Sequence, residues 1–379
     1  MRHVATTQAS LAFSSKDAEP LSRHFPLWQA QATEASLLSS QTLLQQHFAQ
    51  GLLWQSVALD GVQIRARYWL PATAKASLVL IPGRIEAAHK YQELIYDLCQ
   101  SGYQVFAIEH RGQGDAARLT TDPMLGYVAD FDDYVQDLAL VMQQLVTLHA
   151  KGPLLFMAHS MGGAVLSRYL QSPTMTQQFT QNFPQHSTLY KDAAAIFCAP
   201  MWGIVTSPLP ARIAAIIAGV MRKVNQWQGA PRYVPGQSPY QAIGFDSNHL
   251  THSAVRYRLF RELYQQHPKY QLGGVSWHWL AAALGACRQL RQSAAPALPM
   301  LFLQAEHDTV VDNQAQWSLW QRWMDGRSAK HALQNEPAST HAAWQIHGAR
   351  HEILFETDPI RGQAFGYINQ FLSQLARKS

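Results

Sequence analysis

This chain has few cysteines, few charges and no long apolar run, and each shortage removes a class of explanation. Cys99, Cys198 and Cys287 are far apart, odd in number and without C-x-x-C spacing. Neither a disulfide framework nor a zinc site is expected, and a reducing compartment is the simpler setting. Only 15% of the residues are charged, and the formal net charge of +5 comes from scattered Lys and Arg without a basic block. That removes the electrostatic footprint that nucleic-acid binding needs, whereas a mildly basic surface suits anionic lipid. No stretch reaches the roughly 18 uninterrupted apolar residues of a membrane-spanning helix. The opening Met1-Arg-His-Val-Ala-Thr-Thr-Gln8 develops no apolar core of the signal-peptide kind. The expectation is a cytoplasmic chain with no obligate protein partner.

What is present is enough apolar residue for a large core, 47% of 379 positions, arranged in a strand and helix rhythm. Gly51 to Leu70 alternates around Asp60-Gly61, which reads as a hairpin turn. Ala76–Ile81, Tyr103–Ile108, Leu154–Met157, Asp192–Ala199, Pro299–Gln304 and Ala342–Ile346 read as strands. Helical spacing marks His89–Gln100, Phe131–Leu148, Gln314–Met324 and Asp358–Ala376. The expected fold class is α/β, a mostly parallel sheet with helices on both faces. Residues 1–50 read as an N-terminal extension, 51–200 and 294–379 as the core, and 201–293, which leave the rhythm, as an inserted helical cap.

The chain is organised around Leu154-Leu-Phe-Met-Ala-His-Ser160-Met-Gly-Gly-Ala164, an apolar strand, a serine and a small-residue helix start. A serine in so tight a turn has its hydroxyl pushed out above the sheet, and the crowded backbone accepts only small residues two positions to either side. Ala158 and Gly162 meet that need, although the usual G-x-S-x-G form has glycine first. Alone, the motif also fits a serine that caps a helix after a buried strand.

A serine nucleophile needs a base, and the base needs an orienting acid. Asp308 follows one late strand and His351 the next, so the order Ser160, Asp308, His351 is that of α/β-hydrolases. Asp312 is the alternative acid, His347 the rival base, and Glu306 is expected either at the surface or in support behind the site. The oxyanion needs two N–H donors, expected from Met161 at a helix N-terminus and from Arg84 in the loop Pro82-Gly83-Arg84. Gly112-Gln-Gly114-Asp-Ala-Ala117 matches a dinucleotide fingerprint but opens no helix, so a loop supporting the active site is the better account.

Together, Pro82-Gly-Arg-Ile-Glu86, Glu109-His-Arg-Gly-Gln-Gly114, His159-Ser-Met-Gly-Gly163, Asp308-Thr-Val-Val311 and Gly348-Ala-Arg-His-Glu-Ile-Leu-Phe-Glu356 resemble the bacterial lysophospholipase L2 family of monoacylglycerol-lipase-like α/β-hydrolases. The likeness continues through Asn248-His-Leu-Thr-His-Ser253, Arg256-Tyr-Arg258 and Gly273-Gly-Val-Ser-Trp-His-Trp279. It implies hydrolysis of the single acyl ester of a lysophospholipid, with acyl transfer where a second alcohol replaces water. It also implies attachment to the inner face of the cytoplasmic membrane, and no metal or organic cofactor. Ser160, Asp308 and His351 fall on the family's triad. Two departures are Ala158 at the elbow and the polar stretch Asp325 to Thr340 between acid and base.

Arg84, Arg256 and Arg258 are the candidates for a headgroup phosphate. Leu209 to Val220 carries Ile213, Ile216, Ile217 and Val220 beside Arg212, Arg222 and Lys223, a pattern that fits either a lipid-facing helix or a cap helix buried on the core. The competing activities are a monoacylglycerol lipase or general carboxylesterase, an aminopeptidase in which Glu86 would hold a free amine, and a catalytically silent binding scaffold.

Overall fold

The computed structural model describes residues 24–172, 192–334 and 341–376. Its centre is a sheet of β1 (Leu52–Val57), β2 (Gln63–Trp69), β3 (Ala76–Ile81), β4 (Tyr103–Glu109), β5 (Leu154–His159), β6 (Ala194–Cys198), β7 (Met300–Ala305) and β8 (His341–Ile346). The spatial order is β1-β2-β4-β3-β5-β6-β7-β8. β1 and β2 pair antiparallel, as do β2 and β4, and all other pairs are parallel. The hairpin turn spans Leu59-Asp60-Gly61 and not Asp60-Gly61 alone. Ala58 and Val62 still pair, and Gly61 takes the left-handed conformation at φ 83° that closes such a loop.

The strands from β3 to β7 are buried at every position because helices cover both faces. Alternation along β3 divides the core: Val79 and Ile81 pack on one face, Leu78 and Leu80 on the other. The first face is covered by α3 (Asp132–Val141) and α4 (Met161–Gln171). The second is covered by α2 (Gln92–Gln100) and the last helix, Asp358–Ala376. The long helix expected over Phe131–Leu148 is continuous but carries a π-turn at Met142–Val146. The helix after β7 runs past the expected end at Met324 to Gln334, through good helix formers such as Ala329, Lys330, Ala332 and Leu333. The end of the polar stretch, 335–340, and residues 1–23 lie outside the described residues.

Residues 24–50 enter the core. Phe25, Trp28 and Phe48 join the second-face cluster, and Leu37 and Leu44 of α1 (Glu34–Ala49) close on Tyr96, Val255 and Leu259. Between β6 and β7 lie α5 (Ala211–Trp227), α6 (Ala254–Gln266) and α7 (Trp277–Gln292). α5 turns Ala214 and Ala218 toward Leu284, Trp277 and Leu280 and leaves Ile213, Ile216 and Val220 exposed.

Arg256, expected at a headgroup, is instead a buried strut. Its guanidinium forms a two-bond fork with Glu93 at 2.8 Å each, donates to the Glu356 carbonyl at 2.6 Å and reaches Asp358 at 2.8 Å. It thereby joins α6 to α2 and to the start of the last helix. Every guanidinium nitrogen is already bonded, so none is free for a ligand. Arg258 projects to solvent and faces Glu262 one helical turn away at 3.6 Å.

The glycine-rich loop after β4 closes on itself, Gly112 N–H donating to Ala117 C=O at 2.9 Å. Gly114 is required there, since a Cβ would sit 1.8 Å from the Glu109 carboxyl. Gln113 Nε2 donates to the carbonyls of Gly83 and Glu86, both at 2.8 Å, and its Oε1 accepts from Ile85 N–H. The loop therefore braces the segment expected to hold the oxyanion. Beneath it, Glu109 accepts from Ala88 N–H at 3.0 Å, while its other oxygen is buried without a partner.

Two outcomes follow from these contacts. Removing one partner of a buried ion pair leaves the other charge stranded, at a cost of about 3–5 kcal/mol; Arg256→Met should lower the denaturation midpoint accordingly while the folded fraction keeps its specific activity. Burial, assisted by Asp115, pushes the Glu109 carboxyl up from the ordinary range to about 8. A raised acid contributes its stability below the unfolded value and loses it as pH rises through the folded one. Thermal melts at about pH 5 and about pH 9 should show Glu109→Gln losing less stability than wild type across that interval.

Candidate active site

At the end of β5 the chain turns so sharply that Ser160 has φ 50° and ψ −118°. A non-glycine residue held there stores strain that the surroundings must offset. They do so through Ser160 N–H bonded to Cys198 C=O at 3.1 Å, and through Ser160 C=O accepting from Gly163 and Met201 at 2.9 and 2.8 Å. A Cβ on Gly162 would stand 2.3 Å from the Ile81 carbonyl and 2.5 Å from that of Pro82, so the helix approaches β3 only because the position is glycine. Ala158 is packed without exposure inside the sheet, where its methyl is accommodated.

Three expected residues are brought together. His351 Nε2 lies 2.9 Å from Ser160 Oγ, and His351 Nδ1 lies 2.7 Å from Asp308 Oδ2. Asp308 also accepts from the N–H groups of Val310 and Val311 at 2.8 and 3.0 Å. Burial alone would raise its carboxyl, but His351 and these donors outweigh that and hold it below the usual range. The rivals are committed elsewhere. Asp312 caps the helix after β7 through Ala315 N–H at 3.0 Å, and His347 is 72% exposed beside Glu306. Glu306 accepts from Gly348 N–H at 2.7 Å on the outer side of the β7 loop.

The loop after β3 comes against the serine: a Cβ on Gly83 would meet Ser160 Cβ at 3.1 Å. Ile85 next to it sits at φ 69°, a strained conformation for a β-branched residue, fixed by Gln113 on its N–H and by Tyr264 Oη on its carbonyl at 2.5 Å. The N–H groups of Met161 and Arg84 make no hydrogen bond among the described residues.

A compact ionic cluster lies beneath the serine. Glu86 accepts from Gly83 N–H, from Tyr91 Oη at 2.5 Å, from Lys90 Nζ at 2.8 Å and faces His159 Nδ1 at 3.1 Å. Lys90 also bonds Glu352, the neighbour of His351. His159 Nε2 reaches the His351 carbonyl at 3.2 Å. Burial disfavours charge on Glu86, yet Lys90 and His159 override it and hold the carboxyl well below its ordinary range. The same pairing raises His159 against the pull of burial.

Above the serine opens a cavity of about 890 Å³. Its walls are mainly apolar, with Met201, Ile204, Leu209, Ile217, Val234 and Leu280 among them, and its cations are Arg84, Lys90 and Arg261. Arg256 and Arg258 are not part of that wall. Arg261, absent from the sequence expectations, is held by Tyr257 Oη at 2.6 Å and Tyr240 Oη at 3.1 Å and lies over the rings of Tyr240, Tyr257 and Phe260. Its place one turn after the exposed Arg258 gives no hint in the sequence that its side chain lines the cavity. Among the described residues, no group of His, Cys, Asp and Glu is arranged to hold a metal ion.

Comparison with known proteins gives the family. The family model described as serine aminopeptidase S33 matches residues 72–358. Lysophospholipase L2 of Escherichia coli strain K12 is 38% identical over 303 residues, which are 78% of this chain and 80% of that protein. A probable lysophospholipase L2 of Haemophilus influenzae is 29% identical over 297 residues, 78% of this chain and 83% of that one. In solved structures, a soluble variant of Saccharomyces cerevisiae monoglyceride lipase with a substrate analogue superposes with a TM-score of 0.60 at 17% identity, covering 93% and 98% of the two chains. The chain belongs to the serine aminopeptidase S33 family of α/β-hydrolases, together with the bacterial lysophospholipases L2.

Proposed function

We propose that the protein is a carboxylic-ester hydrolase that cleaves the single acyl ester of lysophospholipids through an acyl-serine intermediate. The observation that carries this reading is the Ser160–His351–Asp308 chain of hydrogen bonds at the floor of a largely apolar cavity. His351 Nε2 takes the proton from Ser160 Oγ as the oxygen attacks the acyl carbonyl, and Asp308 stabilises the imidazolium. Met161 and Arg84 direct their free N–H groups at the developing oxyanion, an effect of about 3 kcal/mol per donor. The imidazolium then protonates the leaving glycerophospho-alcohol. Water, deprotonated by the same ring, cleaves the acyl-serine to release a fatty acid. An alcohol in its place yields acyl transfer. Side chains and backbone amides supply every step.

The kinship with lysophospholipases L2 favours a lysophospholipid over a neutral glyceride, while the same triad would serve a monoacylglycerol lipase. The aminopeptidase alternative fits poorly. The carboxylate it needs, Glu86, already has both oxygens occupied by Lys90, Tyr91, His159 and Gly83. A silent scaffold would not need an intact serine, histidine and aspartate relay.

No described helix is long and apolar enough to cross a membrane. We place the enzyme at the inner face of the cytoplasmic membrane through α5, whose Ile213, Ile216 and Val220 are exposed beside Arg212, Arg222 and Lys223. Ile217 on the same helix lines the cavity, which would let a lipid pass from the interface to Ser160.

Acyl release from lysophosphatidylethanolamine should exceed that from a monoacylglycerol of equal chain length, and Ser160→Ala should reduce it at least about a thousandfold. Preference for the neutral ester would discard the phospholipid substrate and keep the triad; turnover surviving in Ser160→Ala would sink the mechanism. Sedimentation with vesicles should show binding to phosphatidylglycerol-rich membranes that falls in Ile216→Ser/Val220→Ser. Equal sedimentation of that variant would remove α5 as the contact.

A further inference from the structure

The cations lining the cavity differ in what neutralises them. Lys90 is held between Glu86 and Glu352. Arg261 also lacks a carboxylate and has its Nε buried without a partner, but two phenolic oxygens and three aromatic faces surround its guanidinium. Arg84 has much less. Its Nη2 donates to the Gly273 carbonyl, its guanidinium carbon lies 5.3 Å from the centre of the Trp279 ring, and its Nε is buried without any partner. No carboxylate forms an ion pair with it among the described residues. Burial disfavours its charge, yet a guanidinium stays protonated at any working pH. A largely enclosed cation without a counter-charge is costly, and a local conflict of that kind is expected at functional sites.

The surroundings are shaped to the guanidinium. A Cβ on Gly126 would stand 2.5 Å from Arg84 Nη2, so a glycine is what leaves room for the planar fork. The peptide N–H of Arg84 is the second oxyanion donor of the proposed mechanism, in the loop whose Gly83 comes against Ser160. Along a 1-acyl lysophospholipid, the phosphorus lies as many covalent bonds from the ester carbonyl carbon as the guanidinium carbon lies from the Arg84 amide nitrogen. An ester at the N–H and a phosphate at the guanidinium are therefore matched in chain length, and a guanidinium fork suits phosphate oxygens.

We propose that the Arg84 side chain is the receptor for the headgroup phosphate, so that one residue binds the reacting ester at both ends, its N–H at the oxyanion and its guanidinium at the phosphodiester. This rests on the lysophospholipid reading and deepens it. The sequence offers three arginines as candidates for this task; in the structure Arg256 and Arg258 lie outside the cavity wall, and Arg84 lines it without an ion-pair partner among the described residues.

The test compares wild type, Arg84→Met, Arg84→Lys and Arg261→Met in mixed detergent micelles. Two quantities are read: the ratio of kcat/KM for lysophosphatidylethanolamine to that for monoacylglycerol, and inhibition of monoacylglycerol turnover by sn-glycero-3-phosphoethanolamine and by inorganic phosphate. Melting curves establish that each variant is folded. Arg84→Met should lower the ratio at least tenfold, chiefly through KM, and raise the inhibition constant of the glycerophospho compound in parallel. Arg84→Lys, which keeps charge but loses the fork, should fall between and serves if the Met variant does not fold. A ratio unchanged in Arg84→Met, or reduced only in Arg261→Met, overturns the proposal and leaves the lysophospholipid reading intact. Equal inhibition by both phosphates, abolished in Arg84→Met, would make this a free-anion site and overturn it as well. A wild type without preference for the lysophospholipid defeats the substrate reading itself. Inhibition by the glycerophospho compound then decides Arg84 separately.

Discussion

The buried Glu86 carboxylate is the contact on which the rest of the site depends. It bonds the Gly83 amide in the loop after β3, the His159 ring at the end of β5, the Tyr91 hydroxyl and, through Lys90, the Glu352 side chain beside His351. Three chain segments far apart in sequence are thus referred to one point. Charges so enclosed repay their desolvation only when every lone pair and proton is used, and here Glu86 spends both oxygens. The gain is in positioning. The loop after β3, the turn at Ser160 and the loop of His351 are tied together through that carboxylate, the last by way of Lys90.

Strain in the neighbourhood follows from that arrangement. Ser160 at φ 50° and Ile85 at φ 69° flank the position where a carbonyl would react, and neither conformation would persist in a loose loop. Gln113 takes up the three polar groups that the twisted oxyanion loop exposes, the carbonyls of Gly83 and Glu86 and the amide of Ile85. This is why the glycine-rich segment after β4 looks like a nucleotide loop in sequence. Its glycines serve positive φ at Gly112 and Gly114 and the close approach of Glu109, and the Gln113 side chain between them points inward to the loop after β3.

The parts of this structure that could be read from the sequence are those governed by local pattern. The buried strands, the elbow and the placement of Asp308 and His351 just beyond strand ends depend on apolar periodicity and on small residues at fixed offsets, both visible in a linear text. Arginine roles were not legible, because a guanidinium is defined by what meets it. Arg256 met Glu93 and Asp358, which lie at remote positions in the chain, and so became structural. Arg261, one turn beyond Arg258, turned inward under aromatic rings. Helix α1 was faint for a related reason: its few buried residues, Leu37, Leu44 and Phe48, close on partners from α2, α6 and the hairpin, so its apolar face is completed by other segments and is thin on its own.

Charge and apolar surface then divide the cavity into regions with different tasks. Lys90 is neutralised from below by two carboxylates and cannot attract substrate without releasing one of them. Arg261 is screened by phenols and rings. Arg84 keeps its charge beside the reacting centre, while the wall formed by Met201, Ile204, Leu209 and Leu280 is suited only to hydrocarbon. A ligand that matches this wall must be apolar over most of its length and carry a single anion a few bonds from its ester. A neutral glyceride would satisfy the wall and the triad but leave the guanidinium without a counter-charge, whereas an amine substrate would meet a carboxylate that is already saturated. With Arg84 in its proposed role, the electrostatics of the cavity favour the lysophospholipid over both alternatives.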